Sequence, residues 1–166
     1  IRKVRAFPPR EKTQRRKKPM RKLTTTALIA LLATGCAEYL PLSSGALQGT
    51  ISPLPQSLER IAQDKIIQLE TRVSEAYSVN LWVVEVAGDL HVFAGDNKTT
   101  WVKNIEQNNN VRLRSGDEIF ELKAIRVNDT EIFELFSAAW EAKYGNRPQN
   151  ESVAQTYLYR LRHRSS

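Results

Sequence analysis

The chain has 166 residues and a formal charge of +7, which taken alone points to a nucleic-acid or membrane surface. The charge is unevenly spread: residues 1–36 carry 11 Lys and Arg against one acid, Glu11, whereas residues 37–166 carry 14 against 17. The later part is mildly acidic and has no surplus of clustered cations to follow a phosphate backbone, so no nucleic-acid partner is expected.

Residues 1–19 begin at Ile1 and include Arg15-Arg16-Lys17-Lys18. They read as an upstream extension ahead of Met20, the one methionine, in preference to a long cytoplasmic basic region or a nucleic-acid patch. Residues 20–35 read as a secretory signal: Met20-Arg21-Lys22 is basic, Leu23 to Leu32 is apolar but for three threonines, and Ala33-Thr34-Gly35 is small. The apolar run is short of the about 20 residues that span a bilayer. Small residues directly before Cys36 resemble the lipobox of bacterial lipoproteins, with Ala33 where leucine is commonest. That resemblance implies that the Cys36 thiol carries a diacylglycerol, that the mature chain starts there, and that the lipid anchors it to a membrane of the cell envelope. In the Gram-negative pattern, Ala37 after the cysteine points to the outer membrane. With the lone cysteine assigned to lipid, neither a disulfide nor a thiol nucleophile is expected.

Residues 36–56, with Pro41, Gly45, Gly49, Pro53 and Pro55, read as a flexible tether, and residues 57–166 as the folded domain. Ser57 is placed to cap a helix from Leu58. Ile66 to Val73 fits either the continuation of that helix or a strand. Leu81 to Val86 and Leu90 to Phe93, joined by Ala87-Gly88-Asp89, read as a hairpin. Thr100 is placed to cap a helix carrying Trp101, Val102 and Ile105. Val111 and Leu113 alternate with Arg112 and Arg114, which predicts a strand with one solvated face. Phe120 and Leu122 share one phase and Ile125 and Val127 the other, which predicts a β-bulge. Ile132, Phe133, Phe136, Trp140 and Tyr144 predict a helix over 130–144 closed by Gly145. Thr156 to Arg162 alternates as a last strand. The order predicts a mainly β, α+β fold: a small antiparallel barrel with two or three helices.

The Trp82 hairpin, Lys98-Thr99-Thr100-Trp101-Val102-Lys103-Asn104-Ile105, Val111-Arg112-Leu113, Ala139-Trp140 and Lys143-Tyr144-Gly145 resemble the split β-barrel of the pyridoxamine-phosphate-oxidase-like flavin-binding superfamily. The likeness covers about residues 66–164 and is nearest to an uncharacterised branch close to the deazaflavin-dependent nitroreductases. It implies that Ile66 to Val73 is a strand. It also implies a homodimer, with flavin mononucleotide or a deazaflavin as a small-molecule ligand in a groove. Arg72, Lys98, Thr99, Thr100 and Lys103 then stand where the superfamily holds phosphate, Asn104 matches its helix asparagine, and Trp82 or Trp101 stacks on the ring. Two departures bear on this: Ser74-Glu75-Ala76-Tyr77-Ser78 replaces a glycine-containing loop, and Asn110 replaces a proline. Read without the resemblance, the three tryptophans are core residues and Lys98 and Lys103 plain surface cations. His91 and His163 have no ligand-spaced partners, so no metal is expected. No catalytic residue is nominated, and a ligand-binding or envelope-interaction protein without cofactor is the alternative to an oxidoreductase.

Overall fold

The computed structural model describes residues 45–150 and 152–164. Cys36, the signal segment and the upstream extension lie outside them. In chain order the elements are β1 (Thr50–Ile51), α1 (Glu59–Gln63), β2 (Ile67–Arg72), β3 (Ala76–Leu81), β4 (Val84–Val86), β5 (Asp89–Phe93), α2 (Thr100–Gln107), β6 (Asn110–Ser115), β7 (Glu118–Arg126), α3 (Thr130–Tyr144) and β8 (Leu158–His163). A 3₁₀ turn, Val153–Gln155, precedes β8. Among the described residues no helix is long and apolar enough to cross a membrane.

The sheet runs β3-β2-β6-β7-β8-β5-β4, antiparallel throughout, with β1 added in parallel to β7. Alternate residues of the strands converge on one core: Leu69, Val79, Leu90, Val92, Val111, Leu113, Phe120, Leu122, Tyr159 and Leu161 pack together, with Trp101, Val102 and Ile105 of α2. Side chains of strands this far apart in the sheet meet only if the sheet curls round, so the fold is a small antiparallel split barrel, left open between edge strands β3 and β4. A second cluster lies outside the barrel, where Phe133, Phe136 and Trp140 of α3 cover Val84, Val86 and Leu158. Asp129 caps α3 by accepting from the Glu131 and Ile132 amides, and Gly145 closes it at a φ of 80°.

Several expectations are corrected. The helix at Leu58 ends by Gln63; of the two readings open for Ile66 to Val73, the strand that the resemblance implied is the one found, at 67–72, because both its edges find partners: Leu69 lies opposite Val79 on one side and Leu113 on the other. The residue before α2 is Thr99 rather than Thr100, and it makes no side-chain capping bond. β7 has no bulge, since its registers with β6 and β8 are continuous. Ala124 carries the interior phase onward from Leu122, and Val127 leaves the strand for the outer cluster.

Arg112 and Arg114 are not a solvated face either. The later half of the expected tether, residues 45–56, runs across them. Leu47 is buried, and its amide donates to the buried Glu70 carboxylate at 2.7 Å. Glu70 also pairs with Arg112 at 3.3 Å and Arg72 at 3.1 Å. Arg114 donates to the Gln48 carbonyl, and the Thr50 and Ser52 amides donate to β7-side carbonyls of Asp117 and Ile119. Gly49 lies so close to this turn that a Cβ there would stand 2.5 Å from the Asp117 carbonyl oxygen.

Candidate functional site

An open groove of about 340 Å³ forms where the end of β3, the corner after it, the loop after β5 and the start of α2 meet. Trp82, Trp101 and Trp140 line it, with Ile66, Leu81 and Phe93; the polar contribution comes from Asn80, Asn97 and Thr99. None of its lining residues is charged. The volume falls at the lower end of small-ligand sites, about 300–1,000 Å³, and the balance of aromatic wall to few polar groups is typical of them.

The three indoles arrive by separate routes. Trp82 follows β3, stacks on Tyr144 at 4.6 Å and 14°, and tilts against Trp140 at 5.1 Å. Trp101 opens α2 and meets the Tyr159 ring edge-on at 5.7 Å. Trp140 comes from the barrel-facing side of α3 and also meets Phe93 edge-on. Trp101 and Trp140 are largely buried, so they serve the core and present only an edge to the groove.

The corner bearing Trp82 is fixed by the end of α3. The Lys143 ammonium donates to the carbonyls of Ala62, Asp64 and Val83 at 2.5, 2.6 and 2.7 Å, and three acceptors require the protonated form. Burial pushes its pKa below the usual lysine value, and the Asp64 charge works against that. The Tyr144 hydroxyl accepts from the Val83 amide at 3.0 Å, and burial raises its pKa. Lys143 and Tyr144 thus tie α3 to α1 and to the β3–β4 corner.

The residues nominated from the sequence fall in different places. Trp82 and Thr99 line the groove. Thr100 is the exposed first residue of α2. Lys98 pairs with Glu106 at 2.7 Å, which raises its pKa, and Lys103 is exposed along the helix. Asn104 faces inward and donates to the Thr71 hydroxyl at 3.0 Å, tying α2 to β2. Arg72 lies at a second cavity, of about 470 Å³, with Glu70, Arg112, Glu121 and Arg164. The structure thus brings Trp82, Trp101 and Thr99 together and leaves Arg72, Lys98, Lys103 and Asn104 off the groove wall. Trp140, Asn80 and Asn97 went unnominated as ligand contacts. The patterning of α3 marked Trp140 for the core, and nothing local marks the two asparagines.

At the N-terminus of α2, helical geometry leaves the first-turn amides without partners inside the helix, and the Thr99 hydroxyl does not cap them. This neutral donor set suits an oxyanion, beside an aromatic wall that suits a planar ring. No set of three or more His, Cys, Asp or Glu able to hold a metal occurs among the described residues.

No protein-family model matches the chain, and none of the curated proteins matches it. Among solved structures it is similar to HutZ, described as the heme storage protein from Vibrio cholerae, at 16% identity and a TM-score of 0.47 over 64% of this chain and 86% of that one. It is similar to an FAD-binding protein from Mesorhizobium loti at 13% identity and 0.47, over 75% and 94%. It is also similar to an F420 reductase at 17% identity and 0.46, over 68% and 97%. These likenesses concern the path of the chain, and the split barrel stands on its own strand pairing.

Proposed function

We propose that this chain is a lipid-anchored envelope protein whose barrel binds a planar aromatic ligand of flavin type in the tryptophan groove. The observation that carries the binding half is the convergence of three indoles from three separate elements on one neutral groove. The fit of flavin mononucleotide is specific in its parts. The ring would lie along Trp82 and meet the edges of Trp101 and Trp140, and the phosphate would rest on the Thr99 hydroxyl and the first-turn amides of α2. A bound flavin would supply hydride or electron transfer, while the protein supplies orientation and a dry wall. No lining residue titrates near neutral pH, so the chain offers no general acid or base there.

A second reading, a carrier for an uncharged planar ligand, is favoured by the absence of charge along the wall. Titrating the detergent-solubilised chain with flavin mononucleotide, riboflavin and a deazaflavin separates the two. Tighter binding of the phosphorylated flavin, weakened by Thr99→Val, supports the first reading. Equal binding of riboflavin and flavin mononucleotide supports the second, and binding of none removes both.

The anchoring half rests on the Met20–Cys36 pattern. Cys36→Ser should abolish incorporation of labelled fatty acid and release the protein from membranes; retention of either would overturn it. Pairing with a second copy belongs to the same reading, and light scattering on the eluted protein tests it.

A further inference from the structure

Residues directly opposite on antiparallel strands share a face of the sheet and stand close. On the outer face, Phe93 of β5 lies opposite Leu158 of β8, and His91 lies opposite Arg160. Beyond them Asp89 pairs with the exposed Arg162. Phe93 and Leu158 belong to the apolar cluster under α3, so the His91–Arg160 row marks the border between that cluster and solvent. His91 is 1% exposed, and its ring meets Phe136 of α3 at 6.4 Å. Phe136 in turn packs on Trp140 at 5.4 Å and Phe93 at 5.2 Å, and both of these line the groove.

This setting holds the ring neutral. Nδ1 donates to the Asp89 carbonyl at 3.0 Å, and Nε2 is closed off without a hydrogen-bond partner. A second proton would put a buried N–H with no acceptor opposite a guanidinium whose own Nε is buried and unpartnered. The charged groups that act on the ring are Asp89 on its own strand and Arg160 and Arg162 on β8. The Asp89 carboxylate is already taken by Arg162, through Nε and Nη2. β4 meets the row with Val84 and α3 meets it with Phe136, and neither compensates a charge. Burial accordingly keeps the His91 pKa below 6.5.

We propose that His91 is a proton-sensitive latch under α3: on taking up a proton the ring must reach water, and it does so by lifting the middle of the helix, with Trp140, from the sheet. The helix can lift alone because its cluster is separate from the barrel core. A lifted Trp140 opens one wall of the groove, so acid speeds the exit of a ligand held there. That consequence rests on the binding reading above, and the latch itself does not.

The test is amide hydrogen exchange on the full chain in detergent, corrected for the intrinsic pH dependence of exchange, comparing residues 133–140 of α3 with β6 and β7. A released ring titrates near 6.5, so the opening constant of α3 should rise about tenfold from about pH 7.5 to 5.5. α3 should also open ahead of the barrel strands. His91→Leu should remove the rise, and His91→Gln serves if the leucine variant does not fold. Arg160→Met should shrink it, because the like charge opposite the ring is gone. Riboflavin, whose charge is constant over this range, should leave the loaded chain about tenfold faster at the lower pH if its exit follows the same opening. Opening of α3 that ignores pH, that responds equally in His91→Leu, or that never precedes β6 and β7 overturns the latch. Riboflavin release that stays constant while exchange responds overturns the gating of the groove. Absence of riboflavin binding counts against the binding reading alone, and exchange then decides the latch.

Discussion

Glu70→Gln tests how the N-terminal strap is held. Glu70 is 2% exposed and takes three donors: the Leu47 amide, Arg72 and Arg112. The substitution keeps an oxygen for Leu47 and removes the charge. The Arg72 side chain is 49% accessible, so its share is about 0.5 kcal/mol. The Arg112 side chain is 22% accessible, and its Nε already lacks a partner. A fully buried pair costs about 3–5 kcal/mol to break, and partial exposure here brings that to about 2 kcal/mol. With the weakened Leu47 bond the loss is about 3 kcal/mol, or roughly 10 °C in Tm for a domain of this size. Urea titration followed by tryptophan emission measures the loss, and amide exchange at Leu47 reports the strap. A loss under about 0.5 kcal/mol, or unchanged Leu47 protection, would refute the assignment of Glu70 as the clasp.

Two further perturbations probe the frame around the groove. Lys143→Met keeps the aliphatic stem and deletes three donors, so it should cost about 2–4 kcal/mol and loosen the Trp82 corner, seen as a red-shifted indole emission. Unfolding free energy and emission together check it, and a change in neither would count against the clamp. His91 is buried, donates from Nδ1 to the Asp89 carbonyl and leaves Nε2 without a partner; burial lowers its pKa from 6.5. The unfolded chain therefore takes up a proton at a pH where the native chain resists it. The stabilisation is complete above about pH 7.5 and declines as pH falls through 6.5 toward the lower native value. His91→Leu should flatten stability against pH in that window, and an unchanged slope would mean that His91 does not set it.

What the sequence made legible was local. The α3 stripe from Ile132 to Tyr144, closed by Gly145, was legible because spacing and the C-terminal cap are written in neighbouring residues, whereas the Asp129 cap emerged only in the structure. The β4–β5 hairpin was readable from its turn for the same reason, but its first strand is only Val84–Val86: the expected run from Leu81 is broken at Trp82-Val83, where β3 has ended and the chain turns a corner. The β7 bulge was a misreading because Ala124 continues the interior phase with a side chain too small to announce it. Arg112 and Arg114 looked solvated because the strap over them comes from more than 60 residues earlier, as the Arg114–Gln48 bond shows. The site suffered most from this. Trp82, Trp101 and Trp140 share a groove only once β5 has paired with β8 and α3 has packed on the outer face, and no spacing along the chain encodes that. The cations at 98 and 103 drew attention by their type, yet the groove that forms is neutral.

The most direct test of the binding claim is the emission of flavin mononucleotide as the protein is added. An isoalloxazine stacked on Trp82 should lose most of its fluorescence at one equivalent per site, and Trp82→Leu should weaken the effect by about tenfold, the worth of an aromatic stack. Flavin emission that stays constant through excess protein would contradict the account.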